Sequence, residues 1–308
     1  MMESFLTVGR QIITLYLLMA VGYALGKVKL IDDRGSLCIS NLVMYVVSPC
    51  MMLVAFQRPL ERELLHEFVI MLGVALLLHA AFIVLSRLLI REKDAHRRSL
   101  LLFGSVFTNC GFMGYPLMAA LFGTLGVFYG SAYVVVFTFL SWTYGIYAMT
   151  GDRSQLKLRP LFMNPGVISI VLAMALFLLQ ITLPEILMVP ITYLADLNTP
   201  LPMVVVGYQL SHADFRAALR GAGSWVSLLL RLVAFPLLTL GICLALDLDS
   251  RLTVITVIAA SAPPAALMSM FSAKFKLDTA LASSTVSVQT AFSALTMPLM
   301  VSLANYLA

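Results

Sequence analysis

Charge is the scarcest commodity in this chain. Asp, Glu, Lys and Arg make up 11% of its 308 residues, while 61% are hydrophobic. A soluble domain carries about 25% charged residues. Mean hydropathy is +0.97. No soluble core of this size needs so much apolar surface, so the composition points to lipid as the solvent. A spanning helix takes about 20 apolar residues, and ten of them roughly 200–250. Only short loops remain, with no room for a separate soluble catalytic or nucleic-acid-binding domain. Cysteine is also scarce. Cys38, Cys50, Cys110 and Cys243 lie in apolar stretches. Without C-x-x-C or Cys/His spacing they indicate neither a disulfide framework nor a metal centre, and each reads as a small hydrophobe. The opening MMESFLTVGR lacks a clustered basic region, and the apolar run to Gly26 lacks a clear small-x-small cleavage site. It reads as a retained helix rather than a cleaved leader. No D-D-x-x-D follows Asp32-Asp33 and no G-x-S-x-G occurs, so an enzyme is not expected. Charge rings or a repeated filter, which a channel would need, are missing too. No cofactor, metal ion or nucleic-acid partner is expected.

What is present is a series of ten apolar segments. They run over 5–26, 35–56, 67–90, 99–122, 126–149, 161–180, 186–210, 222–246, 252–273 and 279–303. The most polar internal stretch, TGDRSQLKLRP at 150–160, divides the chain into halves 1–149 and 161–308. Helix-interrupting signals recur across that divide. Segment two carries Pro49 in VVSPCMML and segment seven carries Pro200 and Pro202 in NTPLPMVVV. Segment four carries TNCGFMGYP, ending at Pro116, and segment nine carries Pro263 and Pro264 in SAPPAA. Pro49 and Pro200 are 151 residues apart, Pro116 and Pro263 147. Five is an odd number of spans, so two such halves enter the membrane from opposite sides. This pattern is the signature of an inverted repeat. The fold expected is an all-α membrane protein of ten transmembrane helices in two inverted five-helix repeats.

Lys and Arg set the orientation. One side receives Lys27, Lys29, Arg34, Arg87, Arg91, Lys93, Arg97, Arg98, Arg153, Lys157, Arg159, Arg216, Arg220, Lys274 and Lys276. The other receives only Arg10, Arg58, Arg62 and Arg251, and Arg231 lies within segment eight. The basic side is cytoplasmic by the positive-inside rule. Both termini are expected outside, in a multi-pass protein of a plasma or bacterial inner membrane. The same bias accounts for a pI near 9.1 without any nucleic acid.

The chemistry is expected in segments four and nine. A proline inside a helix removes a backbone hydrogen bond, and in hydrocarbon each freed group costs several kcal/mol unless protein, water or ligand satisfies it. Gly111 and Gly114 add freedom beside Pro116, and Pro263-Pro264 removes two donors in succession. Such prolines also serve as plain kinks, but their recurrence at paired positions favours a binding site. If both breaks meet at mid-membrane, half-helix N-termini offer N–H groups and positive dipole to an anion. Asn109, Thr108, Ser261 and Ser105 are then at hand to add side-chain hydrogen bonds.

FTNCGFMGYPL, NTPLPMVVVGYQLS, AASAPPAALMSMFSAKF and the SALTMPL ending resemble the auxin efflux carrier family, which includes the plant PIN-type exporters and bacterial carriers labelled malonate transporters. The resemblance covers the whole chain in order. It implies two inverted five-helix repeats, with helices four and nine crossing at their proline breaks around the substrate. It implies a scaffold and dimer surface from helices one, two, six and seven, with a homodimer through helices two and seven, and a moving domain from helices three to five and eight to ten. By position it puts Asn109, Pro116, Pro263 and Pro264 at the crossing, with Ser48, Pro49, Thr199 and Pro200 facing it. The long polar loop of many plant exporters is absent here. Helices five and ten flank the crossing, so Tyr133, Tyr129 and Gln289 are candidate lining residues. Gln289 serves equally as a packing amide, and the hydroxyls of segment ten as packing groups.

Ionisable groups inside a membrane are functional candidates. His79, Asp196 and Arg231 qualify. Asp196 and Arg231 reach similar depth, about 13 Å at 1.5 Å per residue, so a buried pair between them is expected, either as a fixed tether or as a coupling element. His79 reads as a neutral interhelical hydrogen-bonding group or as a proton relay. The function expected is a secondary carrier for a small organic anion, a mono- or dicarboxylate, by alternating access in membrane lipid. A sodium-coupled symporter resembling the bile-acid-transporter architecture is the alternative. Whether H⁺, Na⁺ or no ion is coupled stays open.

Overall fold

The computed structural model describes residues 2–156 and 158–308. Met1 and Lys157, one of the basic positions named above, lie outside these. The described residues are helical, with no strand among them and one isolated bridge. In chain order they form α1 (Met2–Lys27), α2 (Asp33–Leu42), α3 (Ser48–Phe56), α4 (Arg62–Leu89), α5 (Ala95–Val106), α6 (Tyr115–Leu140), α7 (Ile146–Thr150), α8 (Leu158–Phe162) and α9 (Pro165–Leu178). There follow α10 (Glu185–Asp196), α11 (Pro200–Ser211), α12 (Phe215–Ala218), α13 (Ala222–Leu229), α14 (Phe235–Ala245), α15 (Ser250–Ser261), α16 (Leu267–Lys274) and α17 (Thr279–Leu307). Single π-helical turns join α2 to α3, lead into α6, and join α6 to α7 and α13 to α14.

Among the described residues six helical stretches are long and apolar enough to cross a membrane: 33–56, 62–89, 110–150, 185–211 (with a turn at 197–199), 222–245 and 279–307. The stretch 110–150 is two helices in one, because Gly123 (φ 60°, ψ −147°) breaks α6. Only glycine takes that backbone conformation without strain. Shorter apolar helices lie at 13–27, 165–178 and 250–261.

Much of the small polar inventory goes to helix starts, where the first N–H groups have no intrahelical acceptor. Asp32, Asp94, Asn164, Asp249 and Asp278 each cap one with a side-chain oxygen. Packing uses small residues, as expected where lipid removes the hydrophobic drive between helices. α1 runs along α11 so closely that a Cβ on Gly22 would stand 2.1 Å from Val204 O, and one on Gly207 1.9 Å from Met19 O. α3 packs on α9, α10 and α6, while α4, α5, α6 and α13 to α17 pack among themselves.

Candidate functional site

α5 stops at Val106 and α15 at Ser261, and the chain that follows each is extended. The two extended pieces lie antiparallel, with Thr108 bridged to Pro264. Asn109 N–H donates to Pro263 O at 2.7 Å, and Ala265 N–H to Phe107 O at 2.9 Å. Each break thereby supplies hydrogen bonds the other lacks, which is how irregular backbone survives in an apolar interior. Prolines suit the second piece because the ladder asks no N–H of positions 263 and 264.

The first break is not made by Pro116. That residue is buried within continuous helix that begins at Cys110. The preceding π-helical turn, Cys110–Gly114, absorbs the change. The interruption lies at Phe107–Asn109, seven or more residues earlier.

Four helix ends therefore meet. The C-termini of α5 and α15 present carbonyls and negative dipole; the helices beginning at Cys110 and Leu267 present N–H groups and positive dipole. Arg231, fully buried, serves the C-terminal pair. Its Nη1 donates to Ser105 O (2.9 Å) and Val106 O (3.2 Å), and its Nη2 donates to Ala260 O. Phe82 and Phe235 flank the guanidinium, with its carbon 5.6 Å from each ring centre. Among the described residues no carboxylate pairs with it. The expected Asp196–Arg231 pair is thus not formed: Asp196 ends α10 on the exposed surface, and carbonyls take the role a carboxylate was expected to fill.

The N-terminal pair faces a cavity of about 320 Å³. Thr108, Asn109, Gly111, Phe112 and Tyr115 line it from the first break, and Ala265, Ala266, Leu267 and Met270 from the second. Ser40, Asn41, Met44, Ser48 and Met52 line it from α2, α3 and the π-helical turn between them, and Thr138, Trp142, Asn164, Ser169 and Gln209 complete its polar groups. No described lining residue is charged. Ser48 Oγ also donates to Asn198 Oδ1 at 3.0 Å. Asn198 is buried, with its amide nitrogen unpartnered; it was missed, although an amide beside Thr199-Pro200 in an apolar run was the available signal.

Other expected site residues lie behind the cavity. Pro263, Pro264 and Ser261 are buried in or beside the second break, and Thr199 sits at the start of α11. Gln289 Nε2 donates to Ser227 Oγ at 3.5 Å, within a chain in which Ser105 Oγ bonds Ser227 Oγ at 2.8 Å. Tyr133 is buried with its ring 4.9 Å from that of His79. His79 Nδ1 contacts Ala75 O at 2.8 Å. A carbonyl only accepts, so Nδ1 carries the proton; this bond lies within α4 and Nε2 has no partner, so the interhelical hydrogen bond expected of His79 is not formed.

α3 also reaches the opposite end. Ser48 and Met52 face the cavity, while Phe56 at its far end packs on Phe68, Phe128 and Phe177 with ring centres 4.7–6.1 Å apart. Arg58 beyond it donates to Thr124 Oγ1 at 2.9 Å and lies 5.1 Å from the Phe128 ring centre. Nearby, Tyr129 donates to Glu67, so Tyr129 belongs to this end and not to the cavity lining.

Comparison with known proteins agrees with a transport role. The sequence profile of the membrane transport protein family matches residues 7–301. An uncharacterised transporter of Methanocaldococcus jannaschii is 24% identical over 302 residues, covering 94% of this chain and 96% of its own length. A second uncharacterised transporter, from Methanothermobacter thermautotrophicus, is 24% identical over 294 residues, covering 94% and 95%. A multi-pass helical chain matched over nearly its whole length in this way belongs to the membrane transport protein family, the auxin efflux carrier or PIN-like group, whose members are transporters and not enzymes.

Proposed function

We propose that this protein is a secondary carrier that moves a small organic anion by alternating access. In this reading α1 to α7 and α8 to α17 are two inverted five-helix repeats, and the segments 95–122 and 250–274 are the crossing broken helices. The observation that carries the reading is the pairing of the two breaks at the deep end of the cavity. There the first turns of two half-helices, at Asn109–Phe112 and Ala265–Leu267, line the same space. An anion placed among them meets unbonded N–H groups and two positive dipole ends. The neutral amides and hydroxyls around them can orient a carboxylate without holding it as tightly as a fixed cation would. The wall farther out, with Met44, Phe137, Ile170 and Met270, suits the apolar part of a solute.

The cavity residues at Ser40, Asn164, Gln209 and Met270 lie toward the ends of their helices that carry the basic loops. The opposite end is held by Phe56 and Arg58. With the basic side cytoplasmic, this is the inward-open state. The packing of α3 on α9 and α10, with α6 as its contact to α4 to α7 and α13 to α17, supports a scaffold beside a moving unit. A homodimer through the scaffold rests on the family resemblance.

The test is thermal stabilisation of the purified protein by a panel of small mono- and dicarboxylates, with Asn109→Ala alongside. A ligand that binds only the folded state adds about 2.7 kcal/mol of stability at a hundredfold excess over Kd and so raises the melting midpoint. We expect at least one carboxylate to stabilise the wild type and to lose most of that effect in the variant. Stabilisation by cations or neutral solutes alone would overturn the anion assignment.

A further inference from the structure

Half-helix C-termini at a transport site commonly hold the coupling cation. Here the carbonyls suited to that role are already occupied. Ser105 O and Val106 O end α5, Ala260 O ends α15, and all three accept from the guanidinium of Arg231. Arg231 has no exposed surface and, among the described residues, no carboxylate partner. Phe82 and Phe235, stacked 4.3 Å apart, close over it. A guanidinium in such a place stays charged, and the charge is compensated by the two negative helix ends in place of an acid.

We propose that Arg231 is a resident cation, a built-in substitute for a coupling sodium ion, and that it makes the junction independent of Na⁺. A mobile ion would have to shed its water and enter against a fixed positive charge that already holds its ligands. Ser261, next in the chain to Ala260, and Thr108, two residues past Val106, keep buried hydroxyls without partners. They are the groups left to complete a cation site if the guanidinium is removed. The consequence for coupling rests on the transport reading above; the resident-cation role stands on the carbonyls alone.

The experiment compares melting of the purified full chain in sodium chloride, potassium chloride and choline chloride at equal ionic strength, without added solute. The wild type is expected to melt at the same temperature in all three. Arg231→Met removes the charge but keeps an unbranched apolar stem. It is expected to melt lower, to be stabilised by a few degrees in sodium over choline, and to recover in millimolar guanidinium. Arg231→Lys keeps the charge and is expected to remain indifferent to sodium. A wild type stabilised by sodium over choline overturns the proposal. So does an Arg231→Met protein that melts like the wild type in every salt. If the methionine variant yields no folded protein, the lysine variant decides: sodium dependence there overturns the proposal, and indifference supports it. A parallel carboxylate arm separates the two readings. If no carboxylate stabilises the wild type, the anion site fails while the ion comparison still reports on Arg231.

Discussion

Asp249 shows how a single residue is assigned its task by position. Its carboxylate starts α15, accepting from Arg251 N–H at 2.9 Å and from Arg251 Nε at 3.0 Å. Partial burial pushes its carboxyl up, but the hydrogen bonds from Arg251 outweigh that and leave it below the usual carboxylate value. A depressed acid stabilises the fold while it is ionised, and the contribution disappears as pH falls through the lowered value. Asp249→Ala is therefore expected to cost about 1 kcal/mol near neutral pH, the worth of a helix cap. The deficit should shrink as the medium is acidified below the ordinary carboxylate range, as melting curves across pH would register. Asp249→Asn, which keeps the cap but not the charge, should lie between the two. The buried polar residues follow another rule. Ser105, Ser227 and Gln289 bond one another in the interior, and Arg231 bonds backbone. None was readable as a partner from spacing, because each partner lies more than 25 residues away.

At the scale of the element, the contact between α1 and α11 is made by what is missing from it. Gly22 and Gly207 let the two backbones touch, and a methyl at Gly207 would meet Met19 O at 1.9 Å. Backbone cannot rotate out of the way. Gly207→Ala is expected to lower stability by about 1–3 kcal/mol, the usual cost of overpacking. Gly73→Ala in α4, where nothing lies within 4 Å, should be neutral or stabilising by up to about 1 kcal/mol. Thermal melting of the two variants side by side checks the pair. The broken helices obey the complementary principle. Their interruptions persist because Phe107–Asn109 and Pro263–Ala265 supply each other's hydrogen bonds. Pro263-Pro264 marked its break in the sequence correctly. Pro116 did not, since the π-helical turn Cys110–Gly114 just before it absorbs the missing N–H and leaves the helix continuous.

For the whole molecule the decisive feature is asymmetry between its two ends. One end holds the cavity; the other is held by the Phe56 cluster and by Arg58 on Thr124. Ser40→Cys, placed in a background lacking Cys38 and Cys50, is expected to react with a membrane-impermeant thiol reagent from the basic-loop side only. Arg58→Ala should weaken the opposite closure and slow that reaction, by reducing the time spent open toward the basic side. Inside-out vesicles and whole cells, labelled in parallel, distinguish the two faces. Equal labelling from both sides would contradict an access-alternating carrier in this state.

Much of this protein was legible in its sequence because lipid imposes a strict grammar. Scarcity of charge, apolar segments of about 20 residues and the paired prolines declared a helical membrane protein, and Pro263-Pro264 located one of its two interruptions. Asn109, Gly111 and Ser48 were named from local pattern or resemblance, and they line the cavity. Trp142, Asn164 and Gln209 were not, because which face of a helix turns toward the cavity depends on neighbours remote in the chain. The same physics separates Asp196 from Arg231. Depth along a helix can be counted from the sequence, but direction around it cannot, and Arg231 points to carbonyls freed by breaks in two other helices. Hydropathy and helix-breaking act within a few residues and belong to the sequence. The pairing of freed backbone groups with one another and with a buried cation needs segments more than 25 residues apart to be held in place, and only the tertiary structure does that.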